Sequence, residues 1–234
     1  MAKNLLKPTA HQTFRIDYVE SMKGDGVDFG AELERSHKAE SKGRYEEACE
    51  IRFAAVQQLV DLLPEDEPVE LDWEDGATQQ AMELLYLSAV DFFLVSDWEM
   101  AAAQLEMLLD VDSEDHLEAT RLLAYTYVAM GEFESFDEIV NDISDKSPDR
   151  AILLLWSEFR RSGRLPEGEL MRMRRNFGPY LKEFTAESHN VNEWYLGQIG
   201  SERPSKEALA RELWLQTEHL WARNEDFIEA LRKA

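Results

Sequence analysis

The chain has 234 residues and a formal net charge of −23 at pH 7, with 48 Asp and Glu against 25 Lys and Arg. Its one cysteine, Cys49, excludes an internal disulfide framework and fits a reducing compartment. No run approaches the roughly 20 apolar residues of a membrane span, and only Leu5 and Leu6 form an apolar pair near the start, too little for a secretory signal, so a soluble cytoplasmic protein is expected.

Residues 1–30 read as an N-terminal extension. Phe14-Arg-Ile16-Asp-Tyr18 alternates apolar and polar with the two-residue period of a strand. A turn signal, Lys23-Gly-Asp-Gly26, follows it. A second alternation, Val69-Glu-Leu71-Asp-Trp73, lies in an acidic insert between Pro64 and Gly76. The two segments either pair as a small β element or lie extended across helix surfaces; both arrangements hide Phe14, Tyr18, Leu71 and Trp73.

Beyond residue 30, helix formers dominate and Gly and Pro are sparse, which predicts an all-α body. A first helical unit spans about Phe29 to Leu63, with Gly43 permitting its tight turn and Tyr45 packing beneath it. Its first helix carries the polar residues Glu32, Arg35 and Ser36. The second unit spans about 78–113: Thr78 is the predicted N-cap, and Ala81, Leu84, Leu85, Ser88, Ala89 and Phe92 mark the packed face. Ser96-Asp-Trp98 is its turn. Asp112-Ser-Glu-Asp115 caps a third unit, predicted as helices over 115–130 and 134–145 with Gly131-Glu-Phe133 between them. Pro148 opens a fourth, with Ile152, Leu155, Trp156 and Phe159 in register, Gly163 at the turn and a second helix from Pro166.

Past Gly178-Pro179 the pattern changes, and 179–234 reads as helices that cap the last pair. Ser205 is the predicted N-cap of a helix whose apolar side carries Leu209, Leu213, Trp214, Leu220 and Trp221, continued by Phe227, Ile228 and Leu231. Trp214 and Trp221 either pack into the core or anchor a homodimer through this C-terminal helix.

Two stretches overlay at a shift of 35 residues. Leu85-x-x-Ser88-Ala89-x-x-Phe92, Ala101-x-x-x-Leu105, Leu108 and Ser113 fall on Thr120-x-x-Leu123-Ala124-x-x-Tyr127, Phe136-x-x-x-Val140, Ile143 and Pro148. This register resembles the tetratricopeptide repeat in a divergent form, with two clear repeats over 82–148 and two partial ones. The resemblance implies a right-handed α-solenoid over 31–178, interrupted by the 64–80 insert. It also implies a concave groove lined by the first helix of each pair. Carried over residue by residue, that groove holds Tyr86, Val90 and Phe93, then Arg121, Tyr125 and Val128, then Arg160. The Lys and Asn clamp by which one subclass holds chaperone C-termini is missing: its places hold Leu33, His37, Tyr86 and Val90.

No catalytic pattern emerges. The five histidines lack metal-ligand spacing, and His116 beside Asp112, Asp115 and Glu118 reads as an acidic helix start. Asp110-x-Asp112 lacks the Gly and Glu of a calcium loop, and there is no phosphate-binding Gly-rich loop, GxSxG or HExxH. Glu46, Glu47 and Glu50 around Cys49 disfavour a thiolate. Neither an enzyme, a cofactor nor a metal is expected.

The charge is uneven. Between Arg52 and Arg121 there is no Lys or Arg, while 18 Asp and Glu fall there; 151–234 holds 13 basic and 13 acidic residues. The acidic interval repels nucleic-acid phosphates and attracts basic proteins, though such surfaces also serve solubility alone. The expected function is a protein–protein interaction module, a scaffold or adaptor taking a protein or peptide with a basic segment. The alternative is an acidic protein that sequesters a basic partner or mimics nucleic acid. Neither nucleic acid nor a membrane is an expected partner.

Overall fold

The computed structural model describes residues 4–10, 12–18, 26–64 and 67–234, which hold twelve helices and one two-stranded sheet. They form two compact units, 1–126 and 127–234. The division falls inside a helix, α5 (Ala119–Met130).

The first unit opens with an antiparallel hairpin, β1 (Asn4–Pro8) and β2 (Phe14–Tyr18), with Leu6 opposite Ile16. Four helices follow: α1 (Phe29–Glu40), α2 (Tyr45–Val60), α3 (Gly76–Val95) and α4 (Trp98–Val111). Helix α1 packs on α2 and α3, α2 on α3, and α3 on α4. The β element is thus partly as read. Its main pairing is with β1, whose sequence NLLKP carries no alternation and ends in a proline suited only to an edge. The insert joins through a single parallel bridge at Leu71: Phe14 donates its N–H to Glu70 O at 2.7 Å, and Asp72 N–H reaches Phe14 O at 2.8 Å. Leu71 N–H also bonds Val111 O at 2.7 Å, so the insert is stitched to the end of α4. Ile16, Val69 and Leu71 are buried, whereas Phe14 and Trp73 are half-buried. The side chain of Tyr18 and the turn signal at 23–25 lie outside the described residues.

Several helix ends differ from the reading for local reasons. Asp75, not Thr78, caps α3: its carboxylate accepts Thr78 N–H at 3.1 Å and the Thr78 hydroxyl at 2.7 Å. Thr78 is instead buried, and its hydroxyl accepts Ile16 N–H at 2.8 Å, pinning β2 to the helix. Helix α5 starts at Ala119 rather than 115 because Asp115 and Glu118 hold φ of 52° and 54°, which no right-handed helix tolerates. The Asp115 carboxylate then accepts Ala119 and Thr120 N–H at 2.5 and 3.2 Å. Tyr45 is not packed beneath its turn; it is 64% exposed. Gly43, with φ 71°, does supply the turn expected of it.

The second unit contains α6 (Phe133–Ile139), α7 (Pro148–Ser162), α8 (Glu167–Asn176), α9 (Gly178–Phe184), α10 (Glu193–Ile199), α11 (Lys206–Trp221) and α12 (Glu225–Lys233). Ser205 caps α11 as read, accepting Ala208 N–H at 3.3 Å. Helix α9 packs against α8, α11 and α12. The core is aromatic. Trp221 meets Trp156 edge-on at 5.1 Å and Phe184 at 5.4 Å, while Trp214 meets Phe184 at 5.1 Å. Trp214 and Trp221 are 8% and 2% exposed, so the rings proposed as dimer anchors are engaged internally. Among the described residues, no helix is long and apolar enough to cross a membrane.

Candidate functional site

The residues singled out for a groove separate into two groups. Tyr86 and Val90 on α3 are half-buried and one helical turn apart, and Leu94 continues the same stripe at 51% exposure with Val95 beside it at 70%. Arg121, at the start of α5, is partly exposed and close enough for its charge to act on the Tyr86 hydroxyl. Burial raises the Tyr86 phenol above its ordinary range, and Arg121 opposes that rise. Tyr86, Val90 and Arg121 therefore sit where solvent reaches.

Phe93, Tyr125 and Val128 are corrections. They are 2%, 1% and 0% exposed, and the Phe93 ring packs edge-on against Trp98 at 5.4 Å. Side chains so enclosed offer a ligand no surface. Leu85, Ala89 and Phe93 fall at successive i+4 positions, which places Phe93 on the buried stripe of α3. Phe92 is the half-buried neighbour, edge-on to Phe53 at 5.7 Å. Arg160 is exposed but committed: its Nη1 donates to the carbonyls of Val128 and Ala129 at 2.6 and 2.8 Å. Those carbonyls belong to the last turn of α5, which lacks intrahelical donors. Arg160 thus caps a helix end, where a cation is also favoured by the helix dipole.

The electrostatics of α3 depend on a residue the sequence reading passed over. Arg52 lies on the buried face of α2, between Ala48 and Val56. Its guanidinium, 4% exposed, donates to Asp91 on α3 at 2.9 Å and to Glu40 on α1 at 2.7 Å. Burial raises the Asp91 carboxyl above its ordinary range, and Arg52 opposes that rise. Burial, and then Asp91, push the Cys49 thiol up to about 11, so it stays protonated at neutral pH. With Arg52 withdrawn, no Lys or Arg from 52 to 120 faces solvent, and the surface there is anionic and apolar.

His116 tests the insert's attachment. Its ring stacks on Trp73 at 4.7 Å with planes 6° apart, and Nδ1 lies 2.6 Å from the buried Asp112 carboxylate. The hydrogen bond to Asp112 raises the His116 pKa above its ordinary 6.5; burial opposes it, while Asp112, Glu114 and Glu74 add attraction. A raised histidine pKa gives stability that is complete below the unfolded value and lost as pH rises through the folded one. Between about pH 5.5 and pH 8.5, the thermal midpoint is expected to fall more steeply for the wild type than for His116→Gln. Parallel melting profiles by circular dichroism would contradict that.

Among the described residues, no group of three or more His, Cys, Asp or Glu could hold a metal ion. The arrangement on α3 offers recognition: apolar surface, one phenol, one guanidinium and surrounding carboxylates. No protein-family model, curated protein or solved structure matches the chain.

Proposed function

We propose that the protein is a tetratricopeptide-like interaction module, a right-handed solenoid of helix pairs that holds a protein or peptide partner through α3. The supporting observation is the stripe Tyr86, Val90 and Leu94, apolar surface at one-turn spacing with Arg121 at its edge. Aromatic and aliphatic side chains flanked by arginine are typical of interface centres. The partner presents a complementary apolar segment, with basic residues facing the surrounding acids. A reducing compartment such as the cytoplasm suits the unpaired Cys49.

The second reading, an acidic protein that sequesters a basic partner by charge, draws on the same withdrawal of Arg52 from the surface. Replacing Val90 and Leu94 together by Gln separates the two, because the pair removes apolar surface without changing charge and keeps good helix formers. Loss of an anchor of this kind weakens binding by about 2 kcal/mol, roughly thirtyfold, if the stripe makes the contact. Charge-driven binding is left intact.

A further inference from the structure

A cleft of about 650 Å³ in the second unit, formed by the C-terminal part of α11, by α12 and by His189, is unrelated to the α3 stripe. It lies within the size range of small-ligand sites. Its lining combines Trp214, Trp221 and Ile228 with Glu218, Glu225 and Glu229.

The charges around it are sorted in a particular way. Arg232, which also lines the cleft, directs its guanidinium to backbone: Nη2 donates to Ala186 O at 2.8 Å and Nε to Thr185 O at 3.3 Å. Glu229 pairs with Lys233 at 2.8 Å. Glu218 and Glu225 have no ion pair or side-chain hydrogen bond among the described residues. Both are exposed.

His189 closes one side of the cleft. Its ring stacks on Trp214 at 3.8 Å, and its Nδ1 lies 2.8 Å from Glu183 Oε1. Glu183 is in turn held by Arg211, whose Nη2 donates to Oε2 at 3.1 Å, so that carboxylate is neutralised within its own cluster. The cleft thus offers two unpaired carboxylates beside apolar and indole surface. A group that meets all of these carries positive charge, several N–H donors and an aliphatic or flat body.

We propose that this cleft binds an organic cation, an alkylammonium or guanidinium group. Glu218 and Glu225 take its charge, while the exposed Ala222 and the uncovered edge of Trp214 meet its apolar body. The group belongs either to a free polyamine or to the side chain of a basic peptide, and both present the same chemistry. This site stands or falls apart from the α3 reading.

The test is calorimetric titration of the full chain, at low ionic strength, with spermidine and separately with an N-acetylated arginine amide. At least one is expected to bind one-to-one. Glu218→Gln with Glu225→Gln should weaken that binding about tenfold or more while leaving the melting temperature unchanged. Glu202→Gln with Glu207→Gln, which removes the same charge elsewhere in the unit, should leave it as in the wild type. Binding of spermidine alone identifies a free polyamine, and binding of the arginine amide identifies a protein side chain. The proposal is overturned if neither probe binds, if the Glu218 and Glu225 pair has no effect, or if both double variants weaken binding equally.

Discussion

Trp221→Ala is expected to destabilise the protein by about 3–5 kcal/mol, as truncation of a large, fully enclosed aromatic does. The indole is 2% exposed and shares ring contacts with Trp156, Phe184 and Phe227, at 5.1, 5.4 and 5.8 Å. These partners come from α7, α9 and α12, so one residue closes contacts across three other helices of its unit. Its Nε1–H donates to the Thr217 hydroxyl at 2.9 Å, one turn back on α11, and truncation leaves that buried hydroxyl without its donor. Trp221→Phe keeps a ring but loses this bond, so its cost should be smaller. Urea unfolding measures both. A loss below about 1 kcal/mol for the alanine variant would show that the aromatic cluster is not the core of this unit.

Arg52→Met is expected to cost about 3 kcal/mol, because removing one partner strands buried charge. Asp91, whose side chain is 16% exposed, would lose its cation at 2.9 Å, and Glu40 and Ser36 would lose a shared donor. The pH dependence has a definite sign. A carboxyl whose folded pKa is raised destabilises the fold as pH climbs from its unfolded value of 3.8 through the folded one. Arg52 holds that rise in check, so Arg52→Met should be most damaging near neutrality and least damaging in acid, where Asp91 is protonated. Arg52→Met with Asp91→Leu should recover most of the loss, since the stranded charge disappears with its partner. A double variant no better than the single one would mean that Arg52 acts through packing alone.

The punctuation of the helices was legible. Gly43, Gly131 and Gly163 stand at the predicted turns, and each holds a positive φ, of 71°, 87° and 70°, that glycine adopts without strain. Ser205 is readable by its hydroxyl, followed by an apolar stripe. The start of α5 was not legible, because two consecutive acid-rich turns at Asp112 and Asp115 offer equivalent caps and only the backbone decides between them. Strand β1 was hidden because five residues without alternation, beginning ten residues before their partner strand, look like a loop.

For the candidate site, Tyr86 and Val90 came from the repeat resemblance, as did the enclosed Phe93, Tyr125 and Val128. Their own spacing pointed inward: Phe93 repeats Leu85 and Ala89, and Val128 lies one turn from Ala124. Arg52 was detectable too, as a lone cation on an otherwise apolar helix face, but its partners on α1 and α3 lie 12 and 39 residues away and no local pattern names them. Glu218 and Glu225 gave no signal, since they flank a helix junction and meet His189 only through the fold.

What most needs testing is whether apolar contact along α3, rather than bulk negative charge, holds a partner. The measurement is side-by-side capture from native lysate by the wild type and by Val90→Gln with Leu94→Gln, both read quantitatively by mass spectrometry at low and high salt. A partner retained by the wild type in high salt and depleted roughly thirtyfold on the double variant is the expected result. Equal capture by the two proteins, vanishing together as salt rises, would contradict it and leave α3 an ordinary solvent-facing helix.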